Sequence, residues 1–105
     1  MLVLKPSPIA GIGVFTTARI RKGVTPPLFV HGERIIRKAV KGYQGHYAIY
    51  DAAYDGYLSP RNFHRMSIGW YLNHSDKPNC TTSLHPRTLR FIEAGEELTI
   101  DYNLL

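Results

Sequence analysis

Turn-forming pairs of residues interrupt this sequence so often that little room is left for long regular elements. Seven prolines among 105 residues work against long helices, because proline has no amide donor and clashes with the preceding helical turn. The turn signals are Lys5-Pro6-Ser7-Pro8, Lys22-Gly23, Pro26-Pro27, His31-Gly32, Asp55-Gly56, Ser59-Pro60, Lys77-Pro78, His85-Pro86 and Ala94-Gly95.

Short runs rich in β-branched and aromatic residues lie between these turns. They cover residues 13–17, 24–30, 89–92 and 98–102, and we predict a strand in each. Strands of this length and spacing are typical of a mostly-β domain with several small sheets and little helix. Neither a linker nor a repeat divides the 105 residues, so we expect a single domain over residues 1–105.

The middle of the chain permits two interpretations. Five tyrosines at spacings of four and three would line one face of a helix, but glycines interrupt it and Asp55-Gly56 suits a hairpin turn. We predict strands near His46–Tyr50 and Tyr57–Ser59, with a short helix within Glu33–Lys41 or Arg61–Tyr71 as a further alternative. The five tyrosines are Tyr43, Tyr47, Tyr50, Tyr54 and Tyr57.

Composition and charge exclude several classes of protein. The single cysteine, Cys80, rules out an internal disulfide framework and a zinc site of several thiolates, and it favours a reducing, intracellular location. We find neither a secretory signal nor an apolar run near the roughly 20 residues that span a membrane. Residues 1–50 hold eight Lys/Arg and one acid, whereas residues 51–105 hold five Lys/Arg and seven acids. A basic half is suited to nucleic acid and an acidic end to a cationic substrate, with solvated surface charge as the ordinary alternative.

Two local patterns are ambiguous by themselves. Gly11-Ile12-Gly13 lacks the third glycine of a dinucleotide-binding loop, since Thr16 stands there, so it indicates either a tight turn or close approach of a ligand. Asn73-His74-Ser75 is either a polar turn or a ligand-binding segment. The five histidines show no metal-binding spacing, and nothing marks Cys80 with His74 as a nucleophile pair, so we predict no metal site.

Three stretches taken together resemble the SET domain family of S-adenosylmethionine-dependent protein-lysine methyltransferases. The first is SPIAGIGVF at residues 7–15, followed by Ile20-Arg21-Lys22-Gly23. The second is WYLNHSDKPNC at residues 70–80, and the third is AGEELTIDY at residues 94–102. Their order and spacing extend the resemblance over nearly the whole chain.

The resemblance implies a fold, a cofactor and a set of site residues. The fold would have several short sheets and a C-terminal segment tucked under a loop, like a pseudoknot. The methyl donor would be S-adenosylmethionine, with S-adenosylhomocysteine as product, and Tyr102 would be the catalytic residue. The implied cofactor-binding residues are Gly11, Ile12, Gly13, Tyr71, Asn73 and His74, with the His74 main chain at the adenine. The implied walls of the lysine channel are Tyr47, Tyr50, Tyr57, Trp70, Ile100 and Tyr102.

The sequence departs from the family pattern in three places. Asp76 stands where many members carry cysteine, and His31-Gly32-Glu33 lacks a tyrosine that often precedes this Gly-Glu pair. The chain ends at Leu105, where many members continue into a segment that covers the lysine channel. A lid would then come from the substrate, from residues outside this chain or from a second subunit, which makes a homodimer a candidate assembly.

The sequence therefore predicts a methyltransferase acting on a lysine-containing protein or peptide, with histones and other basic proteins as candidate substrates. No membrane partner is expected, and the location would be cytoplasmic, or nuclear in a eukaryotic cell or host. One alternative is a catalytically inactive domain of the same fold that binds peptide or cofactor. The other is a small basic β-barrel that binds nucleic acid through residues 1–50, although no RNA-binding signature is present.

Overall fold

The computed structural model describes residues 1–29, 34–37, 49–51, 56–60 and 66–105. Within these ranges the chain forms strands and two short 3₁₀ helices, and no α-helix is found there. The strands are β1 (Leu2–Pro6), β2 (Ile12–Thr16), β3 (Arg34–Arg37), β4 (Ile49–Asp51), β5 (Gly56–Pro60), β6 (Asn73–His74) and β7 (Glu97–Ile100). The 3₁₀ helices are Ile68–Tyr71 and Tyr102–Leu104.

The first sheet has four strands in the order β1-β2-β7-β6. Strands β1, β2 and β7 pair antiparallel, with Val14 opposite Leu98, whereas β6 and β7 run parallel, with Asn73 opposite Thr99. The last strand of the chain is therefore hydrogen-bonded both to a strand from the N-terminus and to the segment that contains Asn73 and His74. Strand β1 is an edge strand, where Pro6 is tolerated because its missing amide interrupts no central ladder.

The second sheet is antiparallel, with the order β3-β5-β4. Strand β5 confirms the strand predicted near Tyr57–Ser59, and β4 occupies the end of the one predicted near His46–Tyr50. Tyr50 and Tyr57 are register partners across this pair. A helix within Glu33–Lys41 is wrong, because Arg34–Arg37 is strand β3. The two central isoleucines of β3 are β-branched and favour a strand.

Two predicted strands are not formed. Residues 24–29 form no strand, because Pro26-Pro27 provides no amide donors to a ladder. The main chain of Val24 pairs with Thr88, and the carbonyl of Leu28 accepts from the amide of Gly69. Residues 89–92 form an isolated bridge in which Ile92 exchanges two hydrogen bonds with Ile20. The four-stranded sheet instead gains β1 and β6, neither of which the sequence pattern predicted.

The described hydrophobic core lies against β2 and β7. Val14 and Leu98 face each other across the two strands and are fully buried. Alternation along β7 also places Ile100 in the core. The core cluster comprises Val14, Leu28, Leu72, Cys80, Ile92, Leu98 and Ile100.

Asn79 supplies the hydrogen bonds of a strand beside β7. Its side-chain amide nitrogen donates to the carbonyl of Glu97 at 2.7 Å, and its side-chain oxygen accepts from the amide of Thr99 at 2.9 Å. Its own amide donates to Thr99 Oγ1 at 3.3 Å. Asn79 is buried, so these main-chain groups of β7 depend on one side chain for their partners.

Replacing Asn79 should therefore destabilise the whole fold. Asn79→Ala leaves the Thr99 amide and the Glu97 carbonyl unpaired, and we expect it to lower the free energy of unfolding by about 2–4 kcal/mol. Asn103→Ala, at an exposed asparagine, is the matched control and should cost less than about 0.5 kcal/mol. Urea denaturation of both variants measures the difference, and equal losses would contradict this role for Asn79.

The Cys80 thiol should be unreactive in the folded protein. It is fully buried, and burial raises its pKa to about 11, although the charge of Arg90 acts in the opposite direction. Because the thiolate is the reactive form, we expect almost no labelling by a thiol reagent at neutral pH and complete labelling in urea. Rapid labelling of the native protein would show that Cys80 is accessible and would revive its pairing with His74 as a nucleophile.

Candidate active site

The side chain of Asn73 joins the glycine-containing turn to the last strand. Its Nδ2 donates to the carbonyl of Ala10 at 3.0 Å and to Glu97 Oε2 at 2.8 Å, with the carbonyl of Ile12 at 3.3 Å. Three acceptors around this nitrogen settle which end of the amide is the donor. Asn73 is 9% exposed, and within the described residues its Oδ1 accepts no hydrogen bond. A nearly buried acceptor is therefore available to a ligand.

Glu97 is a member of this site that the sequence analysis assigned only to the acidic C-terminal end. Its two carboxylate oxygens share the hydroxyl proton of Ser7 in a bifurcated hydrogen bond, with Oγ at 2.7 and 2.9 Å, and Oε2 also accepts from Asn73. A Cβ added at Gly13 would lie 2.1 Å from Glu97 Oε2. A side chain at position 13 would therefore displace the Glu97 carboxylate, which together with the Asn73 amide occupies that space.

Gly11 has a different role from Gly13. Its φ of +45° lies in the left-handed region, and its carbonyl accepts from the amide of Ser7 at 2.8 Å. A Cβ on Gly11 would meet nothing within 4 Å. The prediction of a tight turn is confirmed at Gly11, and the turn orients the carbonyls of residues 10 and 12 toward Asn73.

Tyr102 begins the C-terminal 3₁₀ helix and is held at both ends by the segment around β6. Its amide donates to His74 Nδ1 at 3.0 Å, and its hydroxyl donates to the carbonyl of Leu72. Burial raises the pKa of the Tyr102 phenol above its usual value, and the negative charge of Glu97 adds a smaller effect in the same direction. The hydroxyl is therefore protonated at neutral pH and acts as a hydrogen-bond donor.

The predicted channel residues that the structure describes lie in different elements of the fold. Trp70 packs edge-to-face on Phe29, with ring centroids 5.6 Å apart, and Tyr71 packs against the core. Ile100 is only 9% exposed and belongs to the core. Tyr50 and Tyr57 lie in the second sheet, whereas Tyr43, Tyr47 and Tyr54 lie outside the described residues. A channel lined by Tyr47, Tyr50, Tyr57, Trp70 and Ile100 stays a prediction.

The structure brings residues from three distant parts of the sequence into one hydrogen-bonded site. Ser7 and Glu97 are 90 positions apart, and Tyr102 is 28 positions from His74. Ser7 and Glu97 were missed as site residues, although both lie in stretches that carry the family resemblance. An open cavity of about 370 Å³, lined by residues 1–2, 19–21, 24 and 26–27, shares none of these residues.

The described residues contain neither a metal-binding cluster nor a membrane-spanning helix. In those ranges no three or more His, Cys, Asp or Glu side chains are grouped so as to hold a metal ion. No helix in the same ranges has the length and apolar character needed to cross a membrane.

Comparison with known proteins identifies the family. The sequence model of the SET domain family matches residues 11–103, which is most of the chain, so the chain belongs to the SET domain family, whose members are methyltransferases. The fold is similar to the crystal structure of a Plasmodium falciparum protein assigned as a histone methyltransferase, with a TM-score of 0.66 and 20% identity. That likeness covers 96% of this chain and 91% of the other, and it confirms the predicted mostly-β SET-type fold. No curated protein matches the chain at a significant level.

A double-mutant cycle tests why residue 13 is glycine. Gly13→Ala should displace the Glu97 carboxylate and break its bonds to Ser7 and Asn73, lowering the free energy of unfolding by about 1–3 kcal/mol. In a Glu97→Ala background the obstructing carboxylate is gone, so the same substitution should cost close to nothing. Equal costs in both backgrounds, measured by urea denaturation, would contradict the steric explanation.

Proposed function

We propose that this chain transfers a methyl group from S-adenosylmethionine to a lysine side-chain amine of a protein, releasing S-adenosylhomocysteine. The observation that carries the proposal is the hydrogen bonding of Asn73, which places an available acceptor and a carboxylate beside the turn at residues 10–13. Tyr102 is connected to the same segment through His74 and Leu72. Family membership supports the reaction class.

The residues around Asn73 fit the α-ammonium group at the methionine end of S-adenosylmethionine. Asn73 Oδ1 is an acceptor for its amino group, and the carboxylate of Glu97 is complementary to positive charge. The main chain at Gly11, Ile12 and Gly13 would border the same end of the cofactor. Tyr71 and the main chain of His74 complete the proposed binding set, with His74 at the adenine. Among these proposed cofactor-binding residues, Gly13 and Asn73 are the most constrained by their contacts with neighbouring residues.

The proposed work of the protein is alignment. When bound, S-adenosylmethionine supplies a methyl group that its sulfonium charge has already activated, so no protein nucleophile is required. A neutral Tyr102 hydroxyl would orient the amine, together with the Leu72 carbonyl that it contacts. Catalysis by alignment therefore needs Tyr102 to be held in one position.

The substrate amine must also be neutral before it can attack. Free lysine has a pKa of about 10.4, and apolar or aromatic surroundings would lower it by disfavouring the ammonium. The predicted walls of the channel, Tyr47, Tyr50, Tyr57, Trp70 and Ile100, are of this type. Their faces would also tolerate methylammonium products through cation–π attraction.

A basic protein or peptide is the proposed substrate. The end of the chain carries Glu93, Glu96, Glu97 and Asp101 without a base among its last thirteen residues. Of these, Glu96 is engaged by Arg90, whose hydrogen bond and charge lower the pKa of the Glu96 carboxyl together with a bond from the Glu93 amide. We propose an intracellular location, consistent with the free thiol of Cys80.

Two substitutions should separate catalysis from cofactor binding. Tyr102→Phe removes one hydroxyl while the ring remains, so we expect the rate of methyl transfer to fall by about 10²-fold or more with cofactor affinity nearly unchanged. Asn73→Ala should instead weaken cofactor affinity first, because it removes the available Oδ1. Radiolabelled methyl transfer to mixed basic proteins and calorimetric titration with the cofactor measure the two effects.

The outcomes distinguish the rival functions. Cofactor or peptide binding without methyl transfer in the wild type would favour the inactive binding domain. A Tyr102→Phe protein that methylates at the wild-type rate would remove Tyr102 from the catalytic role. A melting temperature measured for each variant controls for loss of folding.

A further inference from the structure

The ring of His74 lies between three groups of different hydrogen-bonding character. Its Nδ1 accepts the amide of Tyr102 at 3.0 Å, and its Nε2 lies 2.8 Å from Asp76 Oδ1. A second carboxylate oxygen, Asp101 Oδ1, lies 3.6 Å from Nδ1. Because a main-chain N–H only donates, Nδ1 must be unprotonated, and the ring proton is on Nε2, where it is donated to Asp76.

We propose that the His74 side chain is a positioning residue for Tyr102 and that Asp76 favours the required Nε2–H tautomer. The proposal rests on the proposed function, since it assigns Tyr102 to the reaction. Asp76 lies two residues after His74 on the same segment, so the two side chains are held close together by the local chain.

The position of Tyr102 depends on few contacts. The side chain is 46% exposed, so packing restrains it only partly. Two polar contacts restrain it instead: the hydroxyl to Leu72 and the amide to His74, two residues apart on one segment. The rings of His74 and Tyr102 are also in contact, with centroids 5.4 Å apart and planes inclined by 50°. Loss of the His74 acceptor would leave the hydroxyl contact with Leu72 as the one hydrogen bond in the described residues that ties Tyr102 to the segment around β6, besides the local bond from the Leu105 amide to the Tyr102 carbonyl.

Protonation of His74 should reverse this arrangement. A proton on His74 Nδ1 removes the acceptor for the Tyr102 amide. The protonated Nδ1 can instead donate a hydrogen bond to Asp101 Oδ1. Asp101 also accepts from the amide of Asn103 at 2.9 Å and caps the 3₁₀ helix that Tyr102 begins. Among the described residues, the titratable groups in contact with the ring are Asp76 on its own segment and Asp101 and Tyr102 from the C-terminal segment. Methyl transfer should therefore decrease as His74 becomes protonated.

Nitrogen NMR of the histidine rings tests the tautomer without any measurement of activity. We expect an unprotonated Nδ1 and a protonated Nε2 for His74 in the wild type. The Tyr102 amide resonance should shift in His74→Ala and also when His74 is titrated with acid. A protonated Nδ1 at neutral pH, or a Tyr102 amide insensitive to His74, would overturn the proposal. Either result can be obtained whether or not the protein proves to be a methyltransferase.

Kinetics of two variants test the positioning role. His74→Ala should lower kcat by about 10-fold, the effect of one hydrogen bond, with KM for the methyl donor little changed. His74→Asn places an amide oxygen near the position of Nδ1 and should recover most of the lost kcat. Asparagine does not titrate, so acid should affect the two proteins differently. The ratio of wild-type activity to His74→Asn activity should fall over the pH range in which NMR shows His74 becoming protonated. Parallel pH profiles, or wild-type kcat in His74→Ala, would overturn the proposal.

Discussion

The placement of β7 between β2 and the segment of residues 73–80 is the constraint on which the described structure depends. Main-chain hydrogen bonds join β7 to β2 and to β6, while the side chain of Asn79 provides partners for the Glu97 carbonyl and the Thr99 amide. A buried strand cannot leave its amides and carbonyls unpaired without a cost of about 1–3 kcal/mol for each group. The position and register of the last strand are therefore fixed by Asn79, which precedes its partners on that strand by about twenty positions.

The proposed site is a direct consequence of this placement. Glu97 begins β7 and directs its carboxylate toward Gly13 and Asn73, whereas Leu98 and Ile100 enter the core. Tyr102 follows two residues after the strand and is thereby brought to His74 and Leu72. Binding and catalysis are thus proposed at groups that only the completed fold brings together, so loss of the β7 contacts should impair folding and function together.

The sequence predicted this architecture unevenly, for physical reasons. The mostly-β character followed from frequent turns, and the turn at Gly11 was correctly predicted. The hairpin turn predicted at Asp55-Gly56 is not tested, since Asp55 lies outside the described residues and Gly56 begins strand β5. Residues 24–29 were wrongly assigned to a strand because their hydrophobic pattern was weighted above the missing amides of Pro26-Pro27. Strand β6 has two residues, so no periodicity could have revealed it.

The candidate site was predictable in its composition but not in its connections. Gly13, Asn73, His74 and Tyr102 were recognised through the family resemblance, and the structure shows how they are joined. The partnership of Ser7 with Glu97 spans 90 positions, and no local pattern contains that information. The proton position on His74 likewise requires the neighbours of both ring nitrogens, which only the fold defines.

The most direct test of this account is an NMR titration of the protein with S-adenosylhomocysteine, followed at each main-chain amide. The account predicts saturable shifts concentrated at residues 10–13 and 73–75, together with the side-chain amide of Asn73. These shifts should be lost in Asn73→Ala while the remaining spectrum stays that of the folded protein. Absence of binding, or shifts confined to the cavity lined by residues 1–2, 19–21, 24 and 26–27, would contradict the proposed site.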